Sequence, residues 1–142
     1  MFYTFVSREE RGIFGGGNFI EFQYCRLSPG TPLKEIIAVD SIQHWLNDSM
    51  YVHDENQFYN RYGRIFDCGI YNNFKSGAVD IYGINYYSPG TIDAIVEKLE
   101  NTKPDDYKTL LIWLEKAKAF NGIYILGLWK LKGRLTGRPF CV

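Results

Sequence analysis

The stretch SPGTIDAIVEKLENTKPDDYKTLLIWLEKAKAFNGIYILGLW, residues 88–129, decides the fold. Ser88 ahead of Pro89 reads as a helix start: a hydroxyl at the cap satisfies a free backbone N–H, and proline suits the first helical position. Thr91 is an alternative cap a few residues later. Ile92, Ile95, Val96 and Leu99 then recur on one helical face. Pro104, Asp105 and Asp106 open a second helix whose early acids suit its positive end, with Tyr107, Leu110, Leu111, Leu114 and Ala117 as the inward stripe. Lys116 and Lys118 decorate its last turn, and Asn121-Gly122 supplies a left-handed stop. The short link makes the two helices antiparallel neighbours. Residues 123–129 are almost uninterruptedly apolar, as a strand buried on both faces at the centre of a sheet requires.

Working outward, residues 2–6 and 19–27 read as strands joined across Gly12, Gly15, Gly16 and Gly17 into a hairpin. In the second strand Phe22 and Tyr24 alternate with Glu21, Gln23 and Cys25, the two-residue period of a sheet with one wet face. Residues 64–71 and 78–87 flank Asn72-Asn73-Phe74-Lys75-Ser76-Gly77 as a second hairpin, which places Cys68 inside a strand and buried. Residues 36–39 read either as a short strand or as a helix start, and Asp40 or Ser41 caps a short helix with Ile42, Trp45 and Leu46 on one face. Residues 55–62 put Phe58, Tyr59 and Tyr62 at helical spacing before Gly63. The expected architecture is a single α+β domain over residues 1–142, an antiparallel sheet covered on one side by an antiparallel helical pair, with a basic tail at 130–142.

Composition bounds the function. A chain of 142 residues with 46% apolar and 23% charged residues is ordinary globular material. Its eleven tyrosines and ten phenylalanines, 17% aromatic with the tryptophans, tilt it toward contact surfaces. Three cysteines, Cys25, Cys68 and Cys141, form no CxxC pair and leave one over, which fits a reducing compartment. The apolar start is one strand long and runs into Arg8-Glu9-Glu10-Arg11, unlike a secretory leader. No stretch reaches the roughly 20 apolar residues that span a bilayer. The expectation is a cytoplasmic protein that does not enter membranes.

Net charge is zero, but it is unevenly laid out. Between Lys34 and Arg61 stand Glu35, Asp40, Asp48, Asp54 and Glu55 with Trp45, Tyr51, Phe58 and Tyr59, and no Lys or Arg. Beyond Glu115 come Lys116, Lys118, Lys130, Lys132, Arg134 and Arg138 with no acid. The glycines at 12–17 lack the Lys-Ser/Thr of a phosphate loop and precede a strand rather than a helix. His44 and His53 are the only histidines, too few for a metal site of three or four ligands, and no GxSxG nucleophile motif occurs. We therefore assign no catalytic, metal or cofactor residue. An acid–base pair of His53 with Asp54 or Glu55 is the enzymatic alternative, and the basic tail is a nucleic-acid alternative that the neutral net charge weighs against. The favoured reading is binding: interfaces use aromatics as anchors, and complementary charge accelerates encounter.

The run Gly83-Ile-Asn-Tyr-Tyr-Ser-Pro, then a helix, then Trp113-Leu-Glu-Lys-Ala and Asn121-Gly122-Ile-Tyr-Ile-Leu-Gly, resembles the layout of small bacterial immunity proteins. These are encoded beside toxins of contact-dependent growth inhibition and other polymorphic systems. The resemblance covers roughly residues 83–127. It implies a cytoplasmic, non-enzymatic inhibitor without cofactors that binds one cognate protein toxin, commonly a nuclease with a basic cleft. Asp40, Asp48, Asp54 and Glu55 are the expected charged contacts, with Tyr51 and Tyr59 packed at their centre.

Overall fold

A computed structural model describes residues 1–5, 7, 9–10, 20–42, 46–52 and 55–127. The elements run β1 (Phe2–Tyr3), β2 (Ile20–Tyr24), α1 (Leu33–Ile36), a 3-10 turn (Val39–Ser41), β3 (Met50–Val52) and α2 (Glu55–Tyr62). Then follow β4 (Gly69–Tyr71), β5 (Ser76–Gly77), β6 (Ile84–Tyr87), α3 (Pro89–Thr102), α4 (Tyr107–Lys116), a second 3-10 turn (Ala117–Ala119) and β7 (Ile123–Gly127). The strands form one antiparallel sheet in the order β1-β3-β2-β7-β6-β4-β5. The chain is thus an α+β protein whose sheet carries the packed pair α3 and α4 on one face.

Residues 88–127 fold as their sequence predicts, and residues 128–142, with the end of the expected strand and the basic tail, lie outside the described residues. The Ser88 hydroxyl accepts from the Thr91 N–H at 3.4 Å with Pro89 opening α3, and Ile92, Ile95 and Leu99 are buried. Lys103 ends α3 in the left-handed region, its N–H donating to the Leu99 carbonyl. Gly122 takes φ +92, and a β-carbon there would strike the Tyr87 carbonyl oxygen, so only glycine turns the chain into β7. Every residue of β7 is buried, and the strand lies fourth of seven.

The first hairpin does not form as expected. β1 pairs with β3, not with β2, because β3 stands between them and matches Val52 to Phe2 on one side and to Ile20 on the other. Three buried residues are too few to show an alternation, which hides β3 in the sequence. The glycine turn at 11–19 lies outside the described residues. In the second hairpin β4 does meet β6, Ile70 opposite Tyr86, but residues 63–68 and 78–83 are turns and bends, and β5 adds an edge on the far side of β4. Cys68 accordingly sits in a turn and is exposed.

The wet face expected on β2 is also overturned: Glu21 and Gln23 are 0% and 1% exposed. The sheet's second face is covered as well. Ile36, Ile37 and Ile42 pack on Cys25, Ile84, Tyr86, Tyr124 and Leu126, and the Tyr124 hydroxyl donates to the Ile36 carbonyl at 2.6 Å. Of the two readings left open for residues 36–39, the helical one holds in part, as α1 followed by the Val39–Ser41 turn; Trp45 lies outside the described residues.

Loop 78–83 folds onto the end of β7, where the Gly127 N–H donates to the Gly83 carbonyl at 3.2 Å. A β-carbon on Gly127 would fall on the Ile81 carbonyl oxygen, deep inside van der Waals contact, and the obstacle is backbone that cannot rotate aside. Gly127→Ala is expected to lower unfolding free energy by about 1–3 kcal/mol, the usual scale of overpacking. Urea denaturation checks this, and an unchanged midpoint would mean that the loop does not rest on β7.

Candidate partner-binding surface

The residues expected to form one acidic, aromatic surface are distributed over both faces of the sheet. Asp40 is exposed on the 3-10 turn beside the second-face cluster. Asp48 precedes β3, where its carboxylate pairs with the Arg26 guanidinium and its carbonyl accepts from the Trp113 indole N–H at 2.8 Å. The ion pair is solvent-accessible, with Arg26 and Asp48 side chains 36% and 35% exposed, and it already engages the Asp48 carboxylate within the chain, Arg26 in turn lying 5.1 Å from the centre of the Phe120 ring. Phe120 stacks on Tyr24 and Tyr24 on Trp113, at 4.6 and 4.1 Å between centroids.

Tyr51 is corrected outright as a surface anchor. It is 1% exposed, its hydroxyl donates to the Glu21 carboxylate at 3.2 Å, and its ring lies 5.2 Å from that of Phe5. The Gln23 amide donates to the same Glu21 oxygen at 2.9 Å. Burial of a carboxylate requires such donors, so Tyr51 belongs to an internal polar group on the sheet and cannot meet a partner in this fold. Asp54, His44 and His53 lie outside the described residues.

Glu55 and Tyr59 remain together. Both stand on α2, which buries Phe58 and Tyr62 against the main core and leaves Glu55 and Tyr59 partly exposed. The Tyr59 hydroxyl donates to the Val79 carbonyl, which ties α2 to loop 78–83. Its phenol is raised above the ordinary tyrosine value, first by burial and then by the carboxylates of Asp80 and Glu55 and the phenol of Tyr71. The Tyr71 hydroxyl reaches the preceding carbonyl, Ala78, so phenols from α2 and β4 meet at the loop that bears Asp80, with Glu55 one helical turn before Tyr59.

The loop bearing Asp80 is held from beneath. Asn85 is 0% exposed on β6; its amide oxygen accepts from the Asp80 N–H at 2.8 Å, and its amide nitrogen donates to the carbonyls of Asp80 and Ile125 at 2.8 and 2.9 Å. The Asp80 carboxylate accepts from the Tyr82 N–H at 2.9 Å, and the Tyr71 hydroxyl donates to the Ala78 carbonyl. Tyr82 is left 46% exposed. The result is a pre-set surface: the Asp80 carboxylate on backbone that a buried amide locks in place, beside the phenols of Tyr59 and Tyr71 and with Glu55 one turn away on α2. Pre-organisation of this kind reduces the ordering cost of association.

Sequence reasoning missed Asp80 and Tyr82 by reading residues 78–87 as one strand, and missed Tyr71 because its hydroxyl joins the site only through the Ala78 carbonyl across the hairpin. The available signal was Gly83, where a β-carbon would lie 2.7 Å from the Asp80 carboxylate oxygen, so the glycine marks a turn rather than a strand interior.

The chain matches no family model, no curated protein and no solved structure. The site's chemistry is therefore argued from its own groups. Among the described residues no group of three or more His, Cys, Asp and Glu side chains is placed to hold a metal ion. No described helix is long and apolar enough to cross a membrane. A cavity of about 320 Å³ lined by Pro89, Ile92, Asp93, Ala117, Lys118 and Phe120 lies between the start of α3 and the 3-10 turn after α4, and neither Glu55 nor Asp80 lines it. The Cys68 thiol is raised above its ordinary value, burial of the sulfur outweighing the lowering by Lys98, the opposite of an activated nucleophile. Fixed carboxylates and rings on an outer surface are suited to holding cations and apolar groups of another molecule.

Proposed function

We propose that this chain is a non-enzymatic immunity protein that binds and neutralises a cognate bacterial toxin in the cytoplasm, the toxin being a nuclease with a basic cleft. The observation that carries the reading is that the Tyr59 and Tyr71 hydroxyls donate to adjacent carbonyls, Val79 and Ala78, of a loop that bears Asp80 and is clamped by Asn85, with Glu55 one turn before Tyr59 on α2. Carboxylates there take the places that phosphates occupy in the toxin's substrate, and the rings take those of bases. The layout resemblance of residues 83–127 to immunity proteins supports the same assignment. The binding residues proposed are Glu55, Tyr59, Tyr71, Asp80 and Tyr82, with Asp40 outside this patch and Tyr51 removed.

The test is affinity capture by the tagged full chain from lysate of the cells that carry its gene, at low and high salt, followed by titration of the retained protein. One stoichiometric basic protein, held less tightly at high salt, is expected. The double variant Glu55→Lys, Asp80→Lys should weaken that binding by about 100-fold, since like charges across an interface cost several kcal/mol. Because the Asp80 carboxylate accepts from the Tyr82 N–H and Glu55 opens α2, the urea midpoint is read in parallel, and Glu55→Gln, Asp80→Asn, which keeps an acceptor at position 80, should hold a near wild-type midpoint while weakening binding in the same direction. Unchanged affinity would move the interface elsewhere, and retention of nucleic acid instead would favour the tail.

A further inference from the structure

The chain between β4 and β5 turns tightly: the Phe74 N–H donates to the Tyr71 carbonyl at 3.0 Å, and the Tyr71 N–H to the Lys75 carbonyl. The Asn73 side chain accepts from the Lys75 N–H at 3.0 Å. In this closure the residue after the turn enters the left-handed region, a position that hairpins of this kind fill with glycine. Here it is Phe74, at φ +70. A bulky side chain in that region is an outlier, because its β-carbon crowds the following carbonyl.

Among the described residues the phenyl ring finds little cover to offset this. Phe74 is 60% exposed and belongs to neither apolar cluster. Glycine would close the turn with less strain and forgo only a mostly exposed ring. The ring's value must then lie outside the chain, and its surroundings say with what. Tyr71, three residues earlier, donates its hydroxyl to the Ala78 carbonyl, the Tyr59 hydroxyl donates to the next carbonyl, Val79, and Asp80 follows in the same loop, with Glu55 one helical turn before Tyr59 and Tyr82 exposed nearby. Against these two carboxylates the hairpin sets one ammonium, that of Lys75.

We infer that Phe74 is the apolar anchor of the partner interface, entering an apolar pocket on a protein whose rim carries Lys and Arg. The backbone strain presents the ring, and the Glu55 and Asp80 carboxylates meet the rim. Aromatic residues at the centre of an interface, ringed by polar contacts, carry most of the binding free energy. The inference rests on the partner-binding reading and names the contact that dominates it. Ile112, 65% exposed on the regular helix α4, supplies an equally bare hydrophobe elsewhere on the molecule and serves as the control.

The experiment uses the full chain as wild type, Phe74→Gly, Phe74→Asp and Ile112→Ser, with the protein retained by the wild-type bait, purified, as the titrant. Phe74→Gly should raise the urea midpoint while weakening binding by about 30-fold or more. Phe74→Asp should weaken it at least as much, and Ile112→Ser should leave it unchanged. Equal affinity for wild type and Phe74→Gly overturns the anchor while leaving the acidic surface standing. Loss on Phe74→Gly with none on the Glu55→Lys, Asp80→Lys pair overturns the basic-rim chemistry. A fallen urea midpoint in Phe74→Gly overturns the strain argument. If the wild-type bait retains no protein, the partner-binding reading fails and the anchor with it.

Discussion

Phe22→Ala should reduce the free energy of unfolding by about 3–5 kcal/mol, the range for truncating a buried phenylalanine. Phe22 is 0% exposed at the middle of β2, and its ring meets four others edge to face: Phe2, Phe58, Phe66 and Trp113, at 6.0, 5.7, 5.7 and 5.8 Å between centroids. Those partners come from β1, α2, the turn after α2, and α4, so one ring joins four separate parts of the chain to the sheet. Edge-to-face pairs add to simple burial because the positive rim of one ring meets the negative face of another. For a domain whose whole stability is typically about 5–15 kcal/mol, this is a large fraction. Phe22→Leu retains most of the buried volume and should cost clearly less. Urea denaturation of the two variants tests the ranking. A loss below about 1 kcal/mol for Phe22→Ala would show that the surrounding rings close over the gap, contrary to the packing described here.

The second large effect is alkaline unfolding. Five tyrosines bury their hydroxyls and donate them to main-chain carbonyls: Tyr24 to Trp113, Tyr62 to Asp105, Tyr86 to Asn121, Tyr87 to Phe66 and Tyr124 to Ile36. A phenolate cannot donate, and its charge would face a carbonyl oxygen in a poorly solvated site. Burial is accordingly the first cause that raises all five above the ordinary value, assisted at Tyr24 by the Asp48 carboxylate and at Tyr62 by Asp106. Tyr86 is pushed up from 10.0 to about 12, the nearby Cys25 adding to burial.

The folded chain therefore keeps protons that the unfolded chain releases above pH 10. The contribution of these groups to stability is full below about pH 10, declines as pH rises beyond that, and for Tyr86 is gone once pH passes about 12. At about 1.4 kcal/mol for each tenfold difference in acidity, Tyr86 alone withdraws about 2–3 kcal/mol. With the other four raised as well, the fold should collapse cooperatively between pH 10 and 12. Near-ultraviolet phenolate absorbance and circular dichroism should change together across that interval, and Tyr86→Phe should move the midpoint upward. Ionisation of all tyrosines near pH 10 with the circular dichroism intact would contradict the buried hydroxyls.

Local chemistry made α3, α4 and β7 readable before any coordinates. Ser88 and Pro89 start a helix wherever they fall, the apolar stripe of α3 has one periodicity, and Gly122 adopts a conformation that other residues resist. The helix α2 was legible for the same reason, with Phe58 and Tyr62 on its inner side. The limit came at short strands. β1, β3 and β5 hold two, three and two residues, and no periodicity can be read from so few.

Half of the candidate site was legible on similar terms. Glu55 and Tyr59 share one helix, so their proximity is a matter of spacing. Asp80 and Tyr71 join them only because β6 folds back beside β4 and Asn85 holds the intervening loop. Tyr51 looked like a neighbour of Glu55 in sequence, yet β3 turns it into the sheet toward Glu21. A strand's two faces differ by one residue, and which face is dry depends on what other segments lie over it. Segment 33–42 covers the face that the β2 pattern leaves polar, a long-range fact with no local trace. The sequence by itself determined the element types, the helical pair and the central place of β7, because capping, periodicity and glycine geometry act within a few residues. Strand order, the burial of Glu21 and Tyr51, and the meeting of Tyr59 with the loop that bears Asp80 were decided by tertiary structure, because each depends on contacts between segments far apart in the chain.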